Sequence, residues 1–286
     1  MPDSPTPDSP QTAVSVPTFG DFDARTQGEL ARAAEDAGWD GFFCWDHMLY
    51  DPVGRGVADT TVALAAIALA TSRVRFGPLV MPLARRRPWK VAQEVASLDE
   101  VSGGRFVLGV GNGDDLDFAP VGDPAPARER AAVLDESLEL LHRLLGDDEP
   151  VTHHGETFDV TDVQLHARTV QERVPVWVAG RWPNRRPLRR AARWDGVVPL
   201  WPGFATPTPE EFAACLDVVR EARCGTEHED RPFDGVLWIQ SDEPPGPPPA
   251  AYAEAGVTWW VQSFDPGADL SSVRRRIEAG PPRTGG

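Results

Sequence analysis

An acid–imidazole pair, Asp46 and His47, ends a short apolar run that begins at Gly41. Such a continuous run is typical of a strand that is buried on both faces. Imidazole titrates near neutral pH, so His47 is a candidate proton donor or hydrogen-bonding group, and Asp46 is a candidate to orient a polar neighbour. We predict a catalytic role for both. The alternative is that Asp46 caps the loop and His47 packs beneath it.

A second candidate segment, Pro78–Val80, lies in a strand that prolines interrupt. Pro78 follows Gly77, and Pro82 comes four residues later. Proline removes a donor from the strand ladder, so the segment is predicted to form a bulge that turns the strand end toward a ligand. The alternative is that the strand simply ends at Gly77.

A glycine-rich run with Asn112 follows the next strand candidate. Its glycines are Gly109, Gly111 and Gly113, which do not fit the dinucleotide pattern GxGxxG. Two carboxylates come directly after them and would repel a pyrophosphate. The run predicts backbone lying close against a planar ring, with Asn112 offering its amide. A tight turn without a ligand is the alternative.

A basic cluster of five arginines begins after the strand candidate Val176–Ala179, where a helix is expected to start near Asn184. Backbone N–H groups at a helix N-terminus bind phosphate, and arginine adds fork-shaped donors. We therefore predict an anion site at Gly180, Arg181 and Asn184, against the alternative of an exposed basic helix. A smaller run, Arg85–Arg87, either grips an anionic group or forms a solvated turn.

The elements that must position these residues alternate along the chain. Eight short apolar segments predict strands at Ala13–Thr18, Gly41–Trp45, Val74–Val80, Phe106–Val110, Val176–Ala179, Gly196–Leu200, Val236–Gln240 and Thr258–Ser263. Eight helical patterns lie between and after them. This alternation predicts an α/β fold, a (β/α)8 TIM barrel, with a doubly wound open sheet as the alternative. Residues 146–175 read as a hairpin insertion between the fourth helix and the fifth strand.

The chain of 286 residues is expected to form one large domain. Residues 1–11 are rich in Pro, Ser and Asp and predict a disordered N-terminal tail, so the barrel domain is expected at 12–280. Residues 281–286 predict a flexible C-terminal tail.

Composition limits the partners. The net charge is −16, which argues against a nucleic-acid partner. Three cysteines without paired spacing favour a reducing cytoplasm. No signal peptide and no apolar run long enough to span a membrane is recognisable. No metal-binding spacing is present, since the adjacent His153 and His154 would point to opposite faces of a strand.

Several motifs together resemble the bacterial luciferase-like flavin oxidoreductase superfamily, over about Thr12 to Arg283. They are Ala34-Glu-Asp-Ala-Gly-Trp-Asp-Gly-Phe-Phe43, Trp45-Asp-His47, Thr71-Ser-Arg-Val-Arg-Phe-Gly77, Arg87-Pro-Trp89, Leu98-Asp-Glu-Val-Ser-Gly-Gly-Arg-Phe-Val-Leu-Gly-Val-Gly111, Val170-Gln171, Pro175-Val-Trp-Val-Ala-Gly180, Ala192-Arg-Trp-Asp-Gly196 and Ala255-Gly-Val-Thr-Trp-Trp260. The segment around Arg105 is the most specific. Met81-Pro82 and the triple arginine depart from the commoner forms.

The resemblance implies a (β/α)8 barrel that binds FMN or the deazaflavin coenzyme F420 at the carboxyl ends of its strands. It implies that Asp46 and His47 lie near the cofactor ring and that Pro78, Leu79 and Val80 form a bulge, often with a non-prolyl cis peptide, that backs the ring. It also implies that Asn112 lies at an edge of the ring. The loop from Gly180 to Asn184, with Arg181 and Trp182, matches the phosphate loop.

The resulting prediction is a flavin- or deazaflavin-dependent oxidoreductase, of the monooxygenase or hydride-transfer type, acting on a small organic substrate. A homodimer is possible. One alternative is a barrel hydrolase or lyase that uses Asp46 and His47 without flavin. Another is a flavin-binding protein without catalysis.

Overall fold

The computed structural model describes residues 9–49, 56–122, 126–146, 149–240 and 249–282. Residues 1–8 of the expected N-terminal tail and 283–286 of the expected C-terminal tail lie outside these ranges. Strand pairing begins at Gln11, one residue before the start expected for the barrel domain.

Eleven strands and eight α-helices are found in the described residues. The strands are β1 (Gln11–Val16), β2 (Gly41–Cys44), β3 (Arg75–Pro78), β4 (Met81–Pro82), β5 (Leu108–Gly111), β6 (Val151–His154), β7 (Asp159–Val163), β8 (Val176–Arg181), β9 (Gly196–Leu200), β10 (Asp234–Gln240) and β11 (Trp259–Ser263). The helices are α1 (Ala24–Asp36), α2 (Thr60–Ala70), α3 (Pro88–Ser102), α4 (Ala127–Gly146), α5 (Arg185–Ala191), α6 (Pro209–Arg223), α7 (Pro249–Ala253) and α8 (Leu270–Glu278). Every predicted strand and helix is present.

Helix ends follow local sequence signals. Asp59 caps α2, its carboxylate accepting the N–H of Val62 at 3.0 Å. Pro88 occupies the first turn of α3, and Gly103 ends that helix with a φ of 69°. These signals act within a few residues of the chain, which is why the sequence was enough to place the helices.

The chain divides into two compact units, which are described separately. The first comprises the described parts of Met1–Val16, Ala33–Phe43 and Trp177–Gly286, and the second comprises Pro17–Arg32 and Cys44–Val176.

The first unit is built on a parallel sheet. The pairs β1–β11, β11–β10, β10–β9 and β9–β8 are all parallel, so the carboxyl ends of these strands share one edge. The rings of Phe43, Trp177 and Trp259 contact one another with centroids 5.2 to 6.0 Å apart. Gly41 and Gly196 leave room for these rings, because a Cβ at either position would collide with an indole.

The second unit holds β3, β4 and β5, and the guanidinium group of Arg105 fastens it. The Arg105 side chain donates to the carbonyl oxygens of Ala68, Thr71 and Val74 at 2.8 to 3.0 Å. These bonds tie the end of α2 and the start of β3 to the strand that follows α3. The most specific family motif thus has a structural role at this residue.

The predicted hairpin region contains an antiparallel pair, β6 and β7, which stands between α4 and β8. Glu136 of α4 fixes the hairpin: its carboxylate accepts the N–H groups of Thr157 and Phe158 at 2.9 and 2.8 Å and contacts Nε2 of His153 at 3.0 Å.

Candidate active site

Asp46 is buried and follows β2, from which only Trp45 separates it. One carboxylate oxygen contacts Nη2 of Arg85 at 2.6 Å, and the other contacts Nη2 of Arg86 at 2.7 Å. The hydroxyl of Thr60 also donates to Asp46 at 3.0 Å. Both oxygens are therefore occupied by donors from neighbouring segments, which suits a residue that holds others in place.

His47 contacts a carboxylate that lies 70 positions further along the chain. Its Nδ1 is 2.7 Å from Oδ2 of Asp117, and the Asp117 side chain is only 1% exposed. The other oxygen, Oδ1, accepts the N–H groups of Met48 and Leu49 at 2.9 and 2.7 Å. Asp117 therefore fixes both the imidazole ring and the backbone that follows it.

Arg85 joins the two carboxylates. Its Nη2 contacts Asp46, and its Nη1 lies 3.0 Å from Oδ2 of Asp117. The solvated-turn interpretation of the run Arg85–Arg87 is wrong for Arg85 and Arg86, because both side chains are largely buried and pair with Asp46. The reason is electrostatic: two carboxylates buried near the strand end need cationic partners from the same chain.

Two pKa shifts follow from these contacts. Burial alone would raise the pKa of Asp117, but hydrogen bonds from His47, Leu49 and Met48 outweigh it and hold that pKa well below its ordinary value. Burial, aided by the charge of Asp46, raises the pKa of the Cys44 thiol far above its ordinary value. Cys44 is therefore not poised as a nucleophile.

The bulge expected at Pro78–Val80 is present. Strand β3 ends at Pro78, β4 resumes at Met81, and the peptide bond between Leu79 and Val80 is cis. The N–H of Leu79 donates to the carbonyl of Cys44 at 2.7 Å. Gly109 lies so close that a Cβ there would collide with the Pro78 carbonyl.

Asn112 follows β5 and is half-buried. Its side-chain amide nitrogen donates to the backbone carbonyl of Ala127 at 3.1 Å. Its backbone carbonyl oxygen accepts a hydrogen bond from Nε of Arg130 at 3.0 Å. Its side-chain oxygen, Oδ1, is buried and has no hydrogen-bond partner among the described residues. The amide thus helps to hold the start of α4 and leaves one buried acceptor.

The segment from Gly180 to Asn184 belongs to the first unit. Asn184 caps α5 as predicted, its side chain accepting the N–H of Arg186 at 3.1 Å. A Cβ on Gly180 would collide with Pro187, so helix packing alone explains this glycine.

Two side chains of the same segment rest on aromatic rings. The guanidinium of Arg181 lies 5.6 Å from the ring of Phe204, and the Trp182 ring is 6.4 Å from that of Trp201. The structure thus brings Asp46, His47, the 78–80 segment and Asn112 into the second unit, and it places the 180–184 segment in the first.

The sequence did not reveal Asp117 or the pairing roles of Arg85 and Arg86. Asp117 belongs to an acidic run whose charges were considered only as repelling a pyrophosphate. A usable signal existed, because an acidic run and an arginine run that both follow strands are expected to meet at the same edge of a parallel sheet.

Residues 4–242 match the luciferase-like monooxygenase family. The chain belongs to this family. Among the curated relatives, a 4-hydroxyprotoasukamycin monooxygenase from Streptomyces nodosus subsp. asukaensis is 37% identical over 144 residues, covering 49% of this chain and 37% of that protein. An F420-dependent glucose-6-phosphate dehydrogenase from Nakamurella multipartita is 35% identical over 210 residues, covering 72% of this chain and 59% of that protein. The match thus spans less than two thirds of either relative's own length.

A solved F420-dependent secondary alcohol dehydrogenase, in complex with an F420–acetone adduct, resembles the chain over 95% of its length and 98% of that protein's. The TM-score is 0.77 at 16% sequence identity. This likeness concerns the fold, and it confirms the predicted (β/α)8 TIM barrel class. None of the described helices combines the length and the apolar character that a membrane crossing requires.

Proposed function

We propose that the protein is a flavin- or deazaflavin-dependent oxidoreductase that uses FMN or coenzyme F420 and acts on a small organic substrate. The observation that carries this proposal is the His47 imidazole, set at a strand end by a buried carboxylate in a chain of the luciferase-like family. Strand ends of this kind form the active sites of (β/α)8 barrels.

The residues of the second unit fit a flavin-like ring. Oδ1 of Asn112, which is buried and has no hydrogen-bond partner in the described part of the chain, is an acceptor suited to a ring N–H, and both ring systems carry one. The segment Pro78, Leu79 and Val80 has three apolar side chains and is largely buried, which suits a surface on which a planar ring can rest. The imidazole of His47 would form a hydrogen bond, or exchange a proton, with an atom of the ring or of the substrate.

The residues of the first unit suit a phosphate group. Arg181 is exposed at the end of β8, and it contributes a permanent positive charge with several donors. Gly180, Trp182 and Asn184 form the turn that presents it. We assign phosphate binding to this segment on the strength of Arg181.

When bound, the cofactor supplies the capacity to accept or donate a hydride, or to activate oxygen. The protein supplies orientation and proton transfer. His47 exchanges a proton with an oxygen of the substrate, and Asp46 acts indirectly, by holding Arg85 and Arg86. Asp46 is thus assigned a positioning role.

Hydride transfer with coenzyme F420 is the first candidate. It is supported by a relative that matches 72% of this chain and is named an F420-dependent glucose-6-phosphate dehydrogenase. An FMN-dependent monooxygenase is the second candidate, because a relative with 37% identity is named a monooxygenase.

Titrating the purified protein with each cofactor, followed by fluorescence, tests the proposal. Saturable binding of one cofactor and not the other selects the reaction class. If neither binds, the proposal is wrong and a cofactor-free hydrolase or lyase becomes the better hypothesis. If a cofactor binds but no oxidation or reduction of any substrate is found, and His47→Ala changes nothing, the protein is a non-catalytic flavin-binding protein.

A homodimer in the cytoplasm completes the proposal. The outward faces of α2 and α3 expose Val62, Leu69 and Val101, and they also carry Lys90 and Glu100. Apolar side chains with both charge signs on one face suit contact with a second copy of the same face. Light scattering should give twice the monomer mass, and Leu69→Glu should halve it.

The cytoplasmic assignment is supported by the three free cysteines, which suit a reducing compartment. Cell fractionation of the source organism checks it, and recovery of the protein outside the cytoplasm would contradict it.

A further inference from the structure

We propose that Asp117 is a positioning residue that fixes the proton of neutral His47 on Nδ1, so that Nε2 is the nitrogen that takes up and returns a proton. The tautomer is a property of the folded chain alone. Its catalytic meaning rests on the proposed function.

The hydrogen bonds around Asp117 determine its charge. Three donor positions meet its two oxygens: Nδ1 of His47 at Oδ2, and the N–H groups of Met48 and Leu49 at Oδ1. Nη1 of Arg85 adds an ion-pair contact at Oδ2, 3.0 Å away, without hydrogen-bond geometry. A carboxylate accepts at both oxygens, whereas a protonated carboxyl group would have to direct its own proton at one of these donors. Asp117 is therefore ionised, in agreement with its lowered pKa.

The ionised carboxylate of Asp117 determines which nitrogen of the His47 ring carries the proton. In a neutral ring, one nitrogen carries the proton and the other accepts. A contact of 2.7 Å with an ionised carboxylate requires Nδ1 to be the donor. The lone pair of neutral His47 then resides on Nε2, as in other histidines whose tautomer a carboxylate determines.

With this tautomer, a proton moves between a substrate oxygen and Nε2 of His47. When a substrate O–H bond breaks and its proton moves to Nε2, the electron pair of that bond stays on the substrate oxygen and the ring becomes an imidazolium ion. Asp117 lies next to this new positive charge and stabilises it. The reverse transfer restores the neutral ring with Nδ1 still protonated, so the direction of exchange does not alter the contact with Asp117.

Asp117 is held in place by several groups besides His47. Arg85 contacts Asp117 and Asp46 with separate nitrogens, so the carboxylate that orients His47 is itself held from a second direction. The backbone N–H groups of Met48 and Leu49 hold it from a third. The position of Asp117 therefore does not depend on His47, which is what an orienting group requires.

The test is nuclear magnetic resonance of the whole chain with 15N-labelled histidine, in the absence of cofactor, at about pH 8.5, where ordinary imidazoles are neutral. Long-range proton–nitrogen correlations identify the protonated nitrogen, and His47→Gln assigns the signals. In the unmodified protein we expect His47 as the Nδ1–H tautomer. Finding the Nε2–H tautomer there would overturn the proposal without any variant of Asp117.

Asp117→Asn gives the second arm. The amide oxygen is needed by the N–H groups of Met48 and Leu49, so the NH2 group faces His47 and turns Nδ1 into an acceptor. We expect a shift to the Nε2–H tautomer. Asp115→Asn is the matched control, since the Asp115 side chain is 83% exposed and pairs with Arg130; it should leave His47 unchanged. An unchanged tautomer in Asp117→Asn would count against the proposal.

Because this measurement uses neither cofactor nor substrate, its result is separate from that of the cofactor titration. Once a substrate is found, Asp117→Asn should lower kcat with little effect on KM, and it should move the acid limb of the pH–rate profile to lower pH. A change in KM alone would contradict a positioning role.

Discussion

Gln171 and Asp99, 72 positions apart in the chain, are joined by a hydrogen bond of 2.6 Å from Nε2 of Gln171 to Oδ1 of Asp99. The other oxygen of Asp99 accepts the N–H groups of Val170 and Gln171 at 2.7 and 3.0 Å. Both residues belong to motifs that indicate the family. Their function is to fasten the segment after the hairpin onto α3, so these motifs report the fold more than the chemistry.

Asp99→Ala is expected to lower the free energy of unfolding by about 3 kcal/mol, because it leaves three donors without their buried carboxylate. Chemical denaturation followed by tryptophan fluorescence measures this. The matched control is Glu100→Ala, at the exposed neighbouring position of α3, which should change the free energy by less than about 0.5 kcal/mol. Equal effects of the two changes would contradict the structural role.

Gly109→Ala is expected to reduce both stability and cofactor binding, since its Cβ would collide with the Pro78 carbonyl beside the Leu79–Val80 peptide. The loss of stability should be about 2 kcal/mol, the usual range for overpacking. Gly146→Ala is the control, because a Cβ at that position meets no atom within 4 Å. Normal cofactor affinity in Gly109→Ala would show that this backbone does not support the ring.

Asp46 and Arg86 should be coupled in a double-mutant cycle. Asp46→Asn alone removes the carboxylate that both largely buried guanidinium groups share, although Arg85 keeps its contact with Asp117 and Arg86 lies 3.9 Å from Glu94, and it should cost about 3 kcal/mol. Adding Arg86→Met should recover part of this loss, giving a coupling energy of about 2 kcal/mol.

The control pair for this cycle is Asp46→Asn with Arg128→Met, because Arg128 lies at an exposed position of α4. Those two changes should be additive within about 0.5 kcal/mol. Additivity in the Asp46 and Arg86 cycle as well would mean that Asp46 does not act by holding the arginines.

Glu136 should make hairpin stability depend on pH. Burial raises the pKa of its carboxyl group, but hydrogen bonds from Phe158, His153 and Thr157 outweigh it and leave the pKa below the ordinary value. A lowered pKa in the folded state stabilises the fold above the unfolded-state pKa, and this contribution is lost as pH falls through the folded-state pKa.

Hydrogen exchange of residues 151–163 measures this effect between about pH 5 and pH 3, where ordinary imidazoles are already charged. The hairpin of the unmodified protein should lose protection from exchange as the pH falls over this range. In Glu136→Gln the protection should already be lower at about pH 5, and it should change less with pH. Glu129→Gln, at an exposed position of α4, should behave like the unmodified protein. Parallel curves for Glu136→Gln and the unmodified protein would contradict the assignment.

Arg181→Met is expected to weaken FMN binding about tenfold while leaving riboflavin binding unchanged, because the lost charge-assisted contact is worth roughly 1.4 kcal/mol. If the cofactor titration shows that the protein binds coenzyme F420 and not FMN, the comparison is made between coenzyme F420 and its phosphate-free form. Arg189→Met, further along α5, is the control and should bind both compounds normally. Equal weakening of both compounds would place Arg181 away from the phosphate.

The elements were predictable because their signals are local. Apolar runs located the eight barrel strands, and Asn184 marked a helix start that the structure contains. The turn of the chain at Pro78–Val80 could be expected from its prolines together with the family resemblance.

The charge network could not be predicted in the same way. Asp117 meets His47 across 70 positions, and Arg85 meets Asp46 across 39. Which carboxylate pairs with which cation depends on how loops approach in space, and no periodicity in the sequence encodes that. The sequence therefore identified His47 but not the residue that orients it.

Around the strand end, Arg85 and Arg86 balance the charges of Asp46 and Asp117, and these four side chains are largely buried. Glu94, which lies 3.9 Å from Arg86, is paired with Lys90. The remaining charge of the chain, −16 in total, is carried mainly by exposed groups, and dissolved ions screen such groups over about 8 Å at physiological ionic strength. Added salt should therefore alter how the surface attracts or repels other molecules, while the arrangement around His47 stays the same. Tolerance of the site to ionic strength is a consequence of its internal neutrality.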